Sequence, residues 1–95
     1  MESYTCVEEV LAAYNKNYMA EQEALAAYAH EAWSGWMKYM FEKSIVNSDG
    51  SLTIPEPLVK RWARQATTLY QDLPESEKES DRDEAKKIIT ISDEY

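Results

Sequence analysis

The chain predicts an all-α fold: a single small bundle of about four helices over residues 1–95, with a short irregular or extended loop near residues 45–54. Three observations lead there. Glycine and proline are scarce, at two and three in 95 residues. Apolar residues recur at three-and-four spacing through most of the chain. Turn chemistry, rather than further periodic segments, separates the stretches that carry that spacing.

The first helix is expected to start at Thr5, an N-cap with Glu8 three residues on to complete a capping box. Val7, Val10, Leu11 and Tyr14 then form one apolar stripe, and Asn15 and Asn17 are expected to end it. A second, long helix is expected from about Ala20 to Ser44. Its buried face would carry Leu25, Tyr28, Ala29, Ala32, Trp33, Trp36 and Met40. Gly35 lies inside it, where glycine costs about 1 kcal/mol relative to alanine. Its place between two tryptophans predicts close approach of another element or of a ligand.

Asn47-Ser48-Asp49-Gly50 is a strong turn signal, and Ser51 to Ile54 reads as a short extended piece too isolated to form a sheet. Pro55 and Pro57 open a third helix, because proline suits first-turn positions. Leu58 or Val59, Trp62, Ala66 and Leu69 would be its buried face. A turn at Tyr70–Leu73 leads to a fourth helix from Pro74, polar until Ala85, Ile88 and Ile89, which would pack through its second half. Glu75 and Glu77 in its first turn, and Lys86 and Lys87 near its end, suit the helix dipole.

The net charge of −8 disfavours direct binding to DNA or RNA backbones. The acidity is uneven. Residues 1–31 and 71–95 each carry −5, whereas residues 32–70 carry +2, from Lys38, Lys43, Lys60, Arg61 and Arg64 against Glu42, Asp49 and Glu56. The centre is therefore the region suited to an anionic ligand. The single cysteine, Cys6, fits a reducing compartment. No apolar run is long enough to span a bilayer, and the N-terminus lacks the basic-then-apolar pattern of a secretory signal. A cytoplasmic protein without membrane partners is the expectation.

Few residues offer chemistry. With one cysteine and one histidine, the usual zinc ligand sets cannot be built. His30 and Ser34 share helical register, but no third orienting group or oxyanion donors accompany them. Asn47, Asp49, Gly50, Ser51, Thr53 and Glu56 fall at positions 3, 5, 6, 7, 9 and 12 of a calcium-loop frame. Ile45 stands where the first carboxylate should be, so an ordinary polar turn is expected, with no metal and no cofactor. The aromatic cluster is the better lead. Trp33 and Trp36, three apart, are expected to share a face of one helix, with Trp62 completing a cleft and Tyr70 at the exit of the third helix. Indole faces stack on planar bases, and Arg61, Arg64 or Lys38 could meet a phosphate. The same rings would also serve as the core of a small bundle. In the last helix, Lys78–Asp81, Glu79–Arg82 and Asp83–Lys87 are favourable helix pairs.

The stretch from Tyr70 to Ile89, YQDLPESEKESDRDEAKKII, resembles the closing segment of the ryanodine receptor repeat, where a Tyr-x-x-Leu turn leads into a helix bearing Glu-Lys-x-x-Asp-Arg. His30-Glu31-Ala32-Trp33 is similar to that family's His-Asp-x-Trp segment, and Gly35-Trp36 to its Gly-Trp pair. The spacing between these two is compressed here, and Ser44–Pro57 has no counterpart. The layout also resembles small proteins of tailed phages. The resemblance implies a helical, non-enzymatic module. It implies a cleft for nucleotide-like ligands with Trp33, Trp36 and Tyr70 as cleft residues, and His30, Asp81 and Arg82 as framework. A two-repeat cleft would then require a homodimer. The expected function is a binding module, phage-encoded and acting in the host cytoplasm, that holds an anionic nucleotide-derived small molecule at Trp33, Trp36, Trp62, Tyr70, Arg61 and Arg64. The alternative is an acidic inhibitor that covers a basic site on a host nucleic-acid-binding or defence protein.

Overall fold

The computed structural model describes residues 7–95; Thr5 and Cys6 lie outside them. Instead of two N-terminal helices there is one, α1, Val7–Lys43, of 37 residues and about 55 Å in length. The expected break at Asn15 and Asn17 does not occur. Asparagine is only mildly unfavourable in a helix, and neither glycine nor proline stands nearby to stop it. The apolar stripe also keeps its phase across the junction, from Val7, Leu11, Tyr14 and Tyr18 to Leu25, Tyr28 and Ala32. Two stripes predicted for two helices are one continuous face.

At the end of α1 the Ser44 hydroxyl donates to the Met40 carbonyl at 2.7 Å. The chain then forms a two-stranded antiparallel ladder, β1 (Ile45–Val46) with β2 (Leu52–Thr53), in the register Ile45 to Thr53 and Val46 to Leu52. The piece at Leu52–Thr53 is therefore paired rather than isolated. Gly50 takes φ 89°, a conformation that side chains oppose, and its amide donates to the Asn47 carbonyl at 3.0 Å. Helix α2, Glu56–Thr67, starts as predicted, with Pro55 at the cap and Pro57 in its first turn. The amides of Leu58 and Val59 donate to the Pro55 carbonyl. A single 3-10 turn, Tyr70–Asp72, leads to α3, Glu75–Ser92. Among the described residues the count is thus three α-helices and one short 3-10 turn, not four α-helices.

Helix α3 runs back along α1. Its last residue, Ser92, donates its hydroxyl to Glu21, while Glu84 and Lys87 lie opposite Tyr28–Tyr39. The half-buried line on α1 is Glu21, Ala24, Leu25, Tyr28, Ala32, Met37 and Met40. Trp33, Trp36 and Ala29, expected on that face, are exposed. On α2 the half-buried residues are Leu58, Trp62 and Gln65, and Leu69 is exposed. On α3 they include Glu77, Lys78, Arg82, Glu84 and Ile91, whereas Ala85, Ile88 and Ile89 are exposed. The N-terminal half of α3 therefore packs as well as its second half. Among the described residues no side chain is fully buried. The overall extents are 70 × 36 × 18 Å, because the first three turns of α1 project beyond the end of α3. No helix among the described residues is long and apolar enough to cross a membrane.

Candidate functional site

A cleft of about 690 Å³ opens where the C-terminal part of α1, helix α2 and the start of α3 converge. Helix α1 contributes Trp36, Met37, Tyr39 and Met40; α2 contributes Arg61, Trp62, Gln65 and Ala66; Leu73 closes one end. Helix α3 adds a polar edge of Ser76, Glu77, Ser80 and Asp81. The volume falls in the range of small-molecule sites. The walls are aromatic and methionine-rich, and the polar groups are few and grouped.

The aromatic geometry follows from helix phase. Trp36, Tyr39 and Met40 are three and four residues apart, so they share one face of α1. The hairpin turns the chain back so that Trp62 meets that face. The Tyr39 and Trp62 rings lie 6.2 Å apart at 57°, a tilted contact. Lys43 Nζ stands 5.6 Å from the Tyr39 ring centroid. Trp36 remains 55% exposed, so much of its side chain is open to solvent.

The electrostatics differ from a simple basic pocket. Both terminal nitrogens of Arg64 donate to Glu77, at 3.2 and 2.6 Å. The hydrogen bonds from Arg64 hold the Glu77 carboxyl below its usual range, and the bond to Glu77 raises Arg64. Arg64 is thus committed to joining α2 and α3. Arg61, one turn back on the same helix, forms none of the ion pairs among the described residues and lines the cleft. Asp81 lines it from α3. The cleft lining therefore holds one cation, Arg61, and two carboxylates, Asp81 and the Arg64-bound Glu77.

The other sequence-predicted residues lie elsewhere. Trp33 is 58% exposed and stacks on His30, with ring centroids 6.1 Å apart at 24°. Ser34 Oγ lies 3.5 Å from His30 Nε2. Tyr70 sits on the 3-10 turn with Lys78 Nζ 5.8 Å from its ring centroid. Arg82 donates to Glu75 at 2.9 Å and Glu79 at 3.1 Å, which raises its pKa and lowers that of Glu75. Of the predicted helix pairs, Glu79–Arg82 forms; Asp83 instead meets Lys86 at 3.7 Å, and Lys78 meets Glu75 at 4.0 Å. Met37, Gln65 and Ser80 line the cleft with no signal in the sequence that marked them. Met40 was legible through its spacing from Trp36, as a core residue.

The calcium-like loop is satisfied internally. Asp49 accepts from the Ser51 hydroxyl at 2.6 Å and the Ser51 amide at 2.9 Å, which holds its carboxyl below the usual range. Asn47 Nδ2 donates to Ser51 and Thr53, each at 3.0 Å. Among the described residues no group of three or more His, Cys, Asp or Glu side chains is placed to hold a metal ion. A Cβ built on Gly35 would meet nothing within 4 Å, so no element among the described residues approaches it closely. Gly35 faces a second hollow of about 310 Å³, shared with Tyr28, Glu84 and Lys87. The Tyr28 hydroxyl is buried there without a hydrogen-bond partner.

Comparison with protein-family models, with curated proteins and with solved structures returned no match.

Proposed function

We propose that the chain is a small binding module whose ligand is a nucleotide-like molecule, with a planar base and an anionic group. One observation carries the reading: exposed aromatic side chains and an arginine that forms none of the ion pairs among the described residues line the same cleft. The base would lie against Trp36 and Trp62. Its exocyclic amine would donate to Asp81 or Ser80, and a phosphate oxygen would accept from Arg61. Trp33, Tyr70 and Arg64 would act outside the contact itself, Arg64 by fixing α3 through Glu77. The resemblance to the ryanodine receptor repeat, a phage origin, action in the cytoplasm and a non-enzymatic role belong to this proposal.

The rival reading, an acidic inhibitor of a basic partner, has less support. Many of the α3 acids are matched by a base on the same helix or on α2: Glu75, Glu77, Glu79, Asp83 and Glu84 all have such partners. That leaves a less continuous acidic surface than the sequence implied.

The test is calorimetry of the full chain against mononucleotides and cyclic dinucleotides. Binding that is lost in Trp62→Ala and weakened in Arg61→Ala is expected. No heat with any nucleotide, or undiminished binding by both variants, would falsify the proposal.

A further inference from the structure

The stripe on α1 has two halves with different surroundings. From Glu21 onward it is half-buried beneath α3, at Leu25, Tyr28 and Ala32. Before Glu21 it continues in the same phase through Val7, Leu11, Tyr14 and Tyr18, flanked by Val10, and nothing among the described residues covers it. Those five side chains are between 55% and 67% exposed. The spacing of four, three and four residues is the alternation of a coiled-coil seam. The Ser92–Glu21 hydrogen bond marks where the cover stops.

The total area indicates how much cover is absent. A folded monomer of 11.0 kDa exposes about 5,600 Å² by the usual scaling. This chain exposes 7777 Å². Setting aside the first six residues at the area of an extended chain still leaves an excess of roughly 1,400 Å² per chain. Over two chains that exceeds the ~1,600 Å² of a standard interface. The seam itself is not opposed by charge, since its flanks carry Val10, Asn15 and Asn17 beside the single acid Glu8.

We infer that residues Val7–Tyr18 form a docking surface for a second copy of this chain, with the two arms packed antiparallel about a two-fold axis near residues 12 and 13. Val7 of one copy then sits against Tyr18 of the other, and Leu11 against Tyr14. The antiparallel sense follows from α3. It already occupies the stripe from Glu21 on, so a parallel partner would have to splay away there. In the antiparallel arrangement each arm lies end to end with the other copy's α3 and continues its cover along α1. The two clefts stay at opposite ends of the assembly, so dimerisation does not depend on the ligand.

Sedimentation equilibrium of the full chain from micromolar to submillimolar concentration tests this, with a dimer expected. Leu11→Glu with Tyr14→Glu should weaken association at least ~100-fold, on the scale of two truncated anchor residues. Phe41→Glu, on another face of α1, should leave it unchanged. If the double variant fails to fold, spin labels at Met19→Cys in a Cys6→Ser background decide the matter. The antiparallel register puts them about 20–25 Å apart, against about 10–15 Å for parallel helices. A wild-type monomer at every concentration overturns the inference, whether or not that monomer then binds vesicles or another protein. So does the shorter label distance.

Discussion

Arg64 on α2 and Glu77 on α3 are joined through both guanidinium nitrogens, at 3.2 and 2.6 Å, thirteen residues apart in sequence. This bidentate contact spans the 3-10 turn and holds the start of α3 against α2. It thereby sets the distance between the aromatic wall of the cleft and its polar edge. The planar fork matches a carboxylate as an ammonium does not.

Glu77 should make the fold acid-sensitive. Its folded-state pKa is held below the ordinary 4.5 by hydrogen bonds from Arg64. A depressed carboxylate contributes stability above its unfolded pKa, and that contribution is lost as pH falls through the folded value. Thermal melts should therefore show Tm falling below about pH 4.5, with Glu75 and Asp49 adding to the effect in the same direction. Glu77→Gln should lower Tm at pH 7 and flatten the acid limb. An unchanged acid limb would show that the pair contributes nothing.

Gly35→Ala should stabilise the protein. The new methyl meets no atom within 4 Å, and alanine replaces glycine inside a helix. The gain should be about 0.5–1 kcal/mol, which raises Tm by roughly 2–8 °C in a domain of this size. A lower Tm would indicate that another group occupies the hollow beside Gly35.

Gly50→Ala should act in the opposite sense. At φ 89° an alanine side chain is strained although the space around it is open. A loss of about 1–2 kcal/mol is expected in urea unfolding. The m-value should stay constant, since the strain is local.

Tyr28→Phe should cost little or raise stability. The hydroxyl is buried without a partner, and such a group carries a desolvation penalty of about 1–3 kcal/mol. Differential scanning calorimetry would read the change. A clear drop in Tm would mean that the hydroxyl has a partner in solution.

If the nucleotide reading holds, Arg61→Ala should weaken binding about 10–100-fold, the scale of one charge-assisted hydrogen bond. Arg64→Ala should act mainly on Tm. Equal effects of the two substitutions on affinity would place both guanidinium groups on the ligand.

Much of the helical content was legible in the chain, because three-and-four spacing and the Pro55–Pro57 start depend on local chemistry. The length of α1 was not. Asn15 and Asn17 resemble a terminus only if the stripes on either side are read separately; their common phase was the signal. The pairing of Leu52–Thr53 with Ile45–Val46 was missed because a two-residue ladder leaves no period to detect. Within the site, Trp36, Trp62 and Arg61 were anticipated from their chemistry and do converge on one cleft. Arg64–Glu77 was not, since in Glu77-Lys78-x-x-Asp81-Arg82 the residues expected to reach beyond their own helix are Asp81 and Arg82, not Glu77. A pair thirteen residues apart depends on the turn angle at Tyr70–Asp72, which composition does not encode. Trp33 shows the converse. Its phase on α1 lies within that of the cleft residues, yet it stands one turn nearer the N-terminus than Trp36, where it stacks on His30 and does not line the cleft.

The small hairpin between α1 and α2 works as a length gauge. Asn47 bonds to Ser51 and Thr53, and Asp49 bonds to Ser51, so the connection has one preferred reach. Side chains in a ladder alternate between faces, and a slip of one residue exchanges them. Removing a single residue between Asn47 and Ser51 would thus do more than shorten a loop. It would turn α2 about its axis and carry Trp62 away from Tyr39, so that a deletion well outside the cleft abolishes it while every residue lining it remains in the chain.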